Sequence, residues 1–203
     1  MDSSPPSRSQ LTVIIIMPLR DDWGSAVELI RRIDKSMSFV PHRVEIMLVD
    51  DGSMQMCERA MFPSSFSSVR AIRILRLRRN VGHQRAIAIG LMHIDKTIVC
   101  DAVIVMDADG EDTPEGVLQL LDAYSKNGGA TAIFAERSRR VESLLFRTLY
   151  VFYKLLHRGL TGVSVRVGNF SILPSQYLSP LGSRVDFGWG CEMTVAGRHR
   201  STS

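Results

Sequence analysis

Val103–Glu115 reads VIVMDADGEDTPE, and its character changes abruptly in the middle. The apolar run Val103, Ile104, Val105, Met106 stops at Asp107, and Asp109, Glu111 and Asp112 follow within five residues. An apolar run of this length bounded by turn residues reads as a buried strand. Thr113 and Pro114 then carry the N-cap and first-turn signals of a helix. The stretch is therefore a strand, an acidic tip and a helix start. Ala108 and Gly110 leave room between the acids for a bulky ligand. Hard oxygen donors at this spacing suit Mg²⁺ or Mn²⁺, which would in turn carry a phosphorylated substrate. The plainer alternative is a solvated acidic turn that does no more than cap the helix, and this stretch alone leaves both open.

Working outward, the same unit recurs. Leu11–Met17 (LTVIIIM) is apolar and β-branched throughout, the mark of a central parallel strand covered on both faces. Pro18 is expected to end it, and Asp21 and Asp22 lead into a helical pattern carried by Ala26, Val27, Leu29, Ile30 and Ile33. Val44–Val49 is a second strand closed by Asp50-Asp51-Gly52-Ser53, followed by a weaker helix through Cys57–Met61 and a loop over Pro63–Ser68. Val69–Leu77 is a third strand, ending at Arg79-Asn80-Val81-Gly82. Ala86, Ile87, Ile89, Gly90 and Leu91 then form a helix face. After the Ala102–Met106 strand comes a helix through Val117–Tyr124 and a further strand at Thr131–Ala135. Such alternation predicts an α/β fold, an open, mostly parallel sheet with helices on both faces. Ligands of such sheets bind outside the carboxyl ends of the strands. Three of those ends carry polar clusters here: Asp50-Asp51, Asn80 with Gly82, and Asp107 with Asp109. Together they describe a nucleotide site that uses a metal rather than a glycine-rich phosphate cradle.

The totals narrow the field. A chain of 203 residues with 45% hydrophobic and 23% charged residues suits one globular domain with a sizeable core. The formal charge of +4 rests on clusters, Arg70, Arg73, Arg76, Arg78 and Arg79, then Arg137, Arg139, Arg140 and Arg147. Such patches favour phosphate groups or an anionic membrane surface. The first group is expected to line an exposed strand face. No nucleic-acid-binding signature accompanies them, so nucleic acid is not an expected partner. Neither a G-x-G-x-x-G after the first strand nor a G-x-x-x-x-G-K-[ST] is present, so a dinucleotide-binding oxidoreductase and a P-loop NTPase lack support. Three widely spaced cysteines form neither a disulfide framework nor a metal knuckle and point to a reducing compartment. Cys57 and Cys100 read as core or surface thiols. His83, Gln84 and Arg85 read as surface residues at a helix start. No stretch reaches the ~20 apolar residues of a membrane span. The expected location is cytoplasmic, peripheral at the inner face of a membrane.

VDDGS at Val49–Ser53, RNVGHQRAIAIG at Arg79–Gly90 and MDADGEDTPE at Met106–Glu115 resemble glycosyltransferase family 2, with its GT-A (Rossmann-like) fold. Within it, the resemblance is to the polyisoprenyl-phosphate glycosyltransferases, similar to dolichyl-phosphate mannose synthase. FAERSRR at Phe134–Arg140 and VGNFSILP at Val167–Pro174 extend the match, which runs from about Leu11 to about Leu181. The resemblance implies transfer of a sugar from a nucleoside-diphosphate sugar to a polyprenyl phosphate. Pro18 and the Asp50-Asp51 pair would contact the nucleoside, and Gly82 would let the backbone pass close to the nucleotide. Asp107 and Asp109 would be the D-x-D that holds Mg²⁺ or Mn²⁺ on the diphosphate. Glu111, where this branch often has glutamine, would add to the metal shell. Asp109 and Asp112 are the candidate catalytic acids. Arg137 and Arg140 would engage the donor diphosphate or the acceptor phosphate. Asn169 would lie with them at the acceptor, in a turn where many relatives have an acid. Asparagine takes no proton, so base catalysis is not expected from it.

Leu144–Leu160 (LLFRTLYVFYKLLHRGL) reads as an apolar helix with a basic side, suited either to the core or to lipid headgroups. The resulting expectation is a polar tail over residues 1–10, a GT-A domain over 11–181 and a divergent or truncated tail over 182–203. The alternative to an active transferase is a catalytically silent nucleotide-binding remnant or interaction module of the same fold.

Overall fold

The computed structural model describes residues 10–135, 170–178 and 190–197, the last of these by backbone alone. The four apolar runs become β1 (Thr12–Leu19), β2 (Arg43–Asp50), β3 (Val69–Leu77) and β4 (Ala102–Val105). They lie parallel, side by side, in the order β4-β1-β2-β3. A strand's period of two sends alternate side chains to opposite faces. Val13, Ile15 and Met17 of β1 join Val44, Ile46 and Leu48 of β2 in one core layer. That layer is covered by α1 (Trp23–Ser36) and α3 (Pro114–Lys126). Ile14 and Ile16, with Met47 and Val49, fill the other layer beneath α2 (His83–Thr97). Burial on both faces is why these strands show no polar alternation. α2 sits tightly on the sheet, since a Cβ at Gly90 would lie 2.4 Å from Ile16 Cδ1.

Three more strands, β5 (Ile133–Phe134), β6 (Ser171–Pro174) and β7 (Gly190–Gly197), complete a seven-stranded sheet ordered β5-β6-β4-β1-β2-β3-β7. β6 pairs antiparallel with β4 and with β5, and β7 pairs antiparallel with β3. The sheet is thus the expected mostly parallel one, with antiparallel strands inserted on one side and added at the other.

Three local expectations need correction, and one stretch for which no element was expected carries a strand. Pro18 does not end β1 but pairs with Val49 inside it. The β4 partner side of β1 stops at Ile16, so proline's missing N–H leaves no gap in that ladder. Cys57–Met61 is not a helix. It holds only a 3-10 turn over Arg59–Met61, and Arg59 Nη1 donates to the Phe62 and Pro63 carbonyls at 3.3 and 3.1 Å instead. The Thr131–Ala135 strand shrinks to two residues and pairs antiparallel with β6. Finally, β7 lies inside the 182–203 tail and belongs to the sheet, its backbone pairing supplying what side-chain periodicity did not signal. Arg137, Arg140, Asn169 and the Leu144–Leu160 segment lie outside the described residues. Among the described residues no helix is long and apolar enough to cross a membrane.

Candidate functional site

β1 leads to β2 on one side, whereas β4 lies on β1's other side, so the strand order reverses at β1. The crevice outside the carboxyl ends at such a point is where ligands of open α/β sheets bind. Four loops meet there, and hydrogen bonds tie each to the next.

The loop after β1 is bound to the loop after β2. Asp21 holds φ at 53°, the left-handed region that aspartate tolerates better than most residues. Its N–H donates to Ser53 Oγ at 2.8 Å, and its Oδ1 accepts from the Met54 and Gln55 N–H groups at 2.7 and 3.2 Å. Asp22 then N-caps α1, accepting from the Ser25 N–H at 3.3 Å. Asp50 is 1% exposed. Its Oδ1 accepts from the Ser53 N–H at 2.8 Å, and its Oδ2 lies 3.5 Å from Arg76 Nε.

The loop after β2 is bound to the start of α2. Asp51, also buried, accepts from the Val81 N–H through Oδ1 at 2.7 Å and from the Gly82 N–H through Oδ2 at 2.9 Å. Asn80 Oδ1 shares the Gly82 N–H at 2.9 Å. Gly52 passes against this turn so closely that a Cβ would lie 2.6 Å from the Asn80 nitrogen. Gly82 caps α2 at φ 89°, with open space where its Cβ would stand. A ligand can therefore approach its backbone and the positive end of the helix directly.

The tip of β4 faces that helix end. Asp107 is partly exposed and its Oδ1 lies 3.1 Å from His83 Nε2. The Asp107 N–H donates to Oδ2 of the buried Asp112 at 2.8 Å. Asp109 and Glu111 are exposed, and the Glu111 N–H donates to Asp109 Oδ1 at 2.9 Å. Thr113 caps α3, accepting from the Gly116 N–H at 3.2 Å, with Pro114 opening the helix as expected. The hydrogen bond to Asp107 raises the His83 imidazole above its ordinary value. Burial opposes the rise, and the charges of Asp107, Asp109 and Asp51 add to it. One imidazole thus feels acids from two strand tips.

The donor set can be tested against a divalent cation. Among the described residues, no three His, Cys, Asp or Glu side chains form a ready-made cage. Mg²⁺ characteristically binds through one or two carboxylates plus substrate phosphates and water. The hard oxygens of Asp107 and Asp109, with exposed Glu111 beside them and Gly110 open at its Cβ position, fit that mode.

Of the residues singled out from sequence, Asp107, Asp109, Glu111, Asp112, Gly82, Asp50, Asp51 and Pro18 all lie at this end of the sheet. They divide by exposure. Pro18, Asp50, Asp51 and Asp112 are buried, while Gly82, Asp109 and Glu111 are open. Two arginines of the first cluster are engaged by acids, Arg73 by Glu45 at 3.1 Å and Arg76 by Asp50. His83 is the exposed first residue of α2, as expected, and its contact with Asp107 is what the sequence did not show. The signal for that contact was the place of His83 directly after Gly82, on the first residue of a helix that starts at a strand tip.

Residues 14–179 match the family described as Glycosyl transferase family 2. The uncharacterized glycosyltransferase YkcC of Bacillus subtilis (strain 168) is 27% identical over 163 residues, which is 78% of this chain and 48% of that protein. The undecaprenyl-phosphate 4-deoxy-4-formamido-L-arabinose transferase of Salmonella choleraesuis (strain SC-B67) is 27% identical over 169 residues, 83% of this chain and 49% of that one. The chain therefore spans about half the length of the curated relatives it matches. Among solved structures, the mannosyltransferase PcManGT from Pyrobaculum calidifontis, in complex with GDP-Man and Mn²⁺, is similar with a TM-score of 0.54 at 16% identity. That match covers 89% of this chain and 49% of PcManGT. S. aureus TarS 1-349 gives 0.52 at 15% identity, covering 84% and 49%. The shared architecture is the GT-A fold expected from the sequence.

Proposed function

The chain belongs to glycosyl transferase family 2, and on that premise we propose that it moves a sugar from a nucleoside-diphosphate sugar to a polyprenyl phosphate. The observation that carries the reading is the convergence of Asp107 with the open start of α2. An acidic tip stands 3.1 Å from the first residue of a helix whose N-terminus favours anions. A metal-bridged diphosphate is the ligand that satisfies both at once. Asp107 and Asp109 hold the divalent ion, Mg²⁺ or Mn²⁺, and Glu111 completes the protein's share. When bound, that ion stabilises negative charge on the leaving diphosphate. Gly82 lets the nucleotide come close to the α2 backbone.

Pro18, Asp50 and Asp51 serve the nucleotide from beneath. Asp50 braces the loop after β2 through the Ser53 N–H, and Asp51 holds the loop after β3 through the Val81 and Gly82 N–H groups, which keeps both at the heights the ligand needs. Arg137, Arg140 and Asn169 are assigned to the phosphates and the acceptor by resemblance. The acceptor oxygen is already anionic near neutral pH, so it needs little help from a base. A lipid-linked acceptor brings the chain to a membrane surface, with Leu144–Leu160 as the segment to meet it. The formamido-arabinose transferase relative supports a polyprenyl phosphate acceptor, and PcManGT, complexed with GDP-Man and Mn²⁺, supports the donor class and the metal.

The test is transfer to a short polyprenyl phosphate from a panel of nucleotide sugars with Mn²⁺ or Mg²⁺. The expected result is product that disappears with chelator. Nucleotide binding without product would reassign the chain as a binding module. No binding at all would overturn the site.

A further inference from the structure

The acidic turn contains one carboxylate that does not face outward. Asp112 is 4% exposed, whereas Asp109 and Glu111 on the same turn are exposed. Its Oδ2 reaches back five residues to accept the Asp107 N–H at 2.8 Å. The preceding residue's N–H is the last held by the sheet, Met106 donating to Ile16 O at 3.1 Å. Asp107 is thus the first residue beyond the ladder, and the Asp112 carboxylate takes over there. The next residue, Thr113, caps α3, so the grip on Asp107 is anchored to a helix packed in the core. Burying a carboxylate is costly unless it is paired or hydrogen-bonded. A buried acid that fastens the backbone of a partly exposed one is suited to aiming it.

We propose that Asp112 is a positioning residue. Through the Asp107 N–H it fixes the direction in which the Asp107 carboxylate meets a divalent cation, and it neither ligates the ion nor exchanges a proton with substrate. The inference rests on the metal-site reading given above. Its chemistry is that of partners around a metal, whose loss typically weakens affinity about 10- to 100-fold. The bond requires an acceptor oxygen and no charge. Asparagine can offer its carbonyl oxygen in the same place, and alanine offers nothing.

The experiment is a Mn²⁺ titration of the 203-residue chain, following the free-ion electron paramagnetic resonance signal, with and without GDP or UDP. Circular dichroism checks that each variant is folded. Asp112→Ala should weaken Mn²⁺ binding by about 10- to 100-fold, and Asp112→Asn should stay within about threefold of the parent. Asp109→Ala should abolish binding. If Asp112→Asn falls as far as Asp112→Ala, the charge itself matters and the positioning role is wrong. Parent-like binding by Asp112→Ala overturns it as well. Undiminished binding in Asp109→Ala, or none in the parent, instead sinks the metal-site reading on which the role rests. Should Asp112→Ala not fold, Asp112→Asn still overturns the role by itself if it weakens Mn²⁺ binding about tenfold or more.

Discussion

The tips of β2 and β4 both end in two closely spaced aspartates, VDDGS and MDADG, and use them in opposite ways. After β2, both carboxylates turn inward. Asp50 and Asp51 are 1% and 5% exposed, and the described bonds bring each of their four oxygens against the protein's own groups. After β4, Asp109 is exposed and Asp107 partly so, with one oxygen against His83, and the inward-facing acid is Asp112, three residues after Asp109. The difference follows from what each tip must join. β2 lies beside β3, and its acids are spent on that scaffold, Asp51 on the loop after β3 and Asp50 on its own loop and Arg76. β4 is followed directly by a capped helix that closes its own turn, which leaves two acids for a ligand. An acidic pair at a strand end is therefore not by itself a site. What its oxygens already hold decides the matter.

The comparison is most easily broken at Gly52. Alanine there would have to hold φ near 70° and would push a Cβ to 2.6 Å from backbone of the β3 loop. The left-handed backbone and the overpacking together should cost about 3 kcal/mol or more. Urea unfolding measures it. A loss below about 1 kcal/mol would mean that the β2 and β3 loops are not locked together as described.

A crossed pair of variants comes next in size. Asp51→Ala strips the acceptors from the Val81 and Gly82 N–H groups and should lower stability by about 2–4 kcal/mol. Asp109→Ala, at an exposed position, should change stability by no more than about 0.5 kcal/mol. Calorimetry should show the reverse order for metal-dependent nucleotide binding, which Asp109→Ala loses with its fold intact. Similar stability losses from both would erase the distinction between tips.

The division of labour between these acids was only half legible in the sequence. Apolar runs such as LTVIIIM can be read as buried parallel strands because burial on two faces leaves no room for polar residues. The order of strand tips and the acids that end them follow from the same reading. Exposure does not follow, because it depends on which N–H groups another loop brings up. Asp51 is buried because residues 80–82 reach it, a contact 30 residues away in sequence. The contact of His83 went unread for the same reason, since its partner Asp107 belongs to another strand tip. β7 was unreadable because an edge strand is defined by backbone pairing and its sequence carries no clear apolar period.

A gentler change sharpens the account of the β2 tip. Asp51→Asn keeps one acceptor oxygen and turns an NH₂ toward the other donor. The Gly82 N–H retains Asn80 Oδ1 at 2.9 Å, so the amide oxygen should stay with the Val81 N–H. The expected loss is about 1 kcal/mol by urea unfolding. Adding Asn80→Ala should then cost more than it does in the parent. Plain additivity would show that the two acceptors do not share the donor.

The smallest effect concerns an acid that is scaffold alone and lies at the other end of the strands. Asp34 on α1 accepts the Ser67, Ser68 and Val69 N–H groups at 3.0, 2.7 and 2.8 Å and the Ser67 hydroxyl at 2.8 Å. Burial pushes its carboxyl up, but the three N–H groups and the hydroxyl outweigh it and hold it below the ordinary value of 3.8. A group whose folded value is depressed contributes its stability above the unfolded value and loses it as pH falls through the folded one. The parent should therefore be more stable than Asp34→Ala by about 1 kcal/mol near neutrality, after allowance for solvent screening. That advantage should hold down to roughly pH 5 and shrink steadily below pH 4. Unfolding curves at a series of pH values give the difference directly. A constant difference down to pH 2 would show that the carboxylate's charge does not matter there. Asp34 would then hold the start of β3 by shape, unlike the acids at the β2 tip.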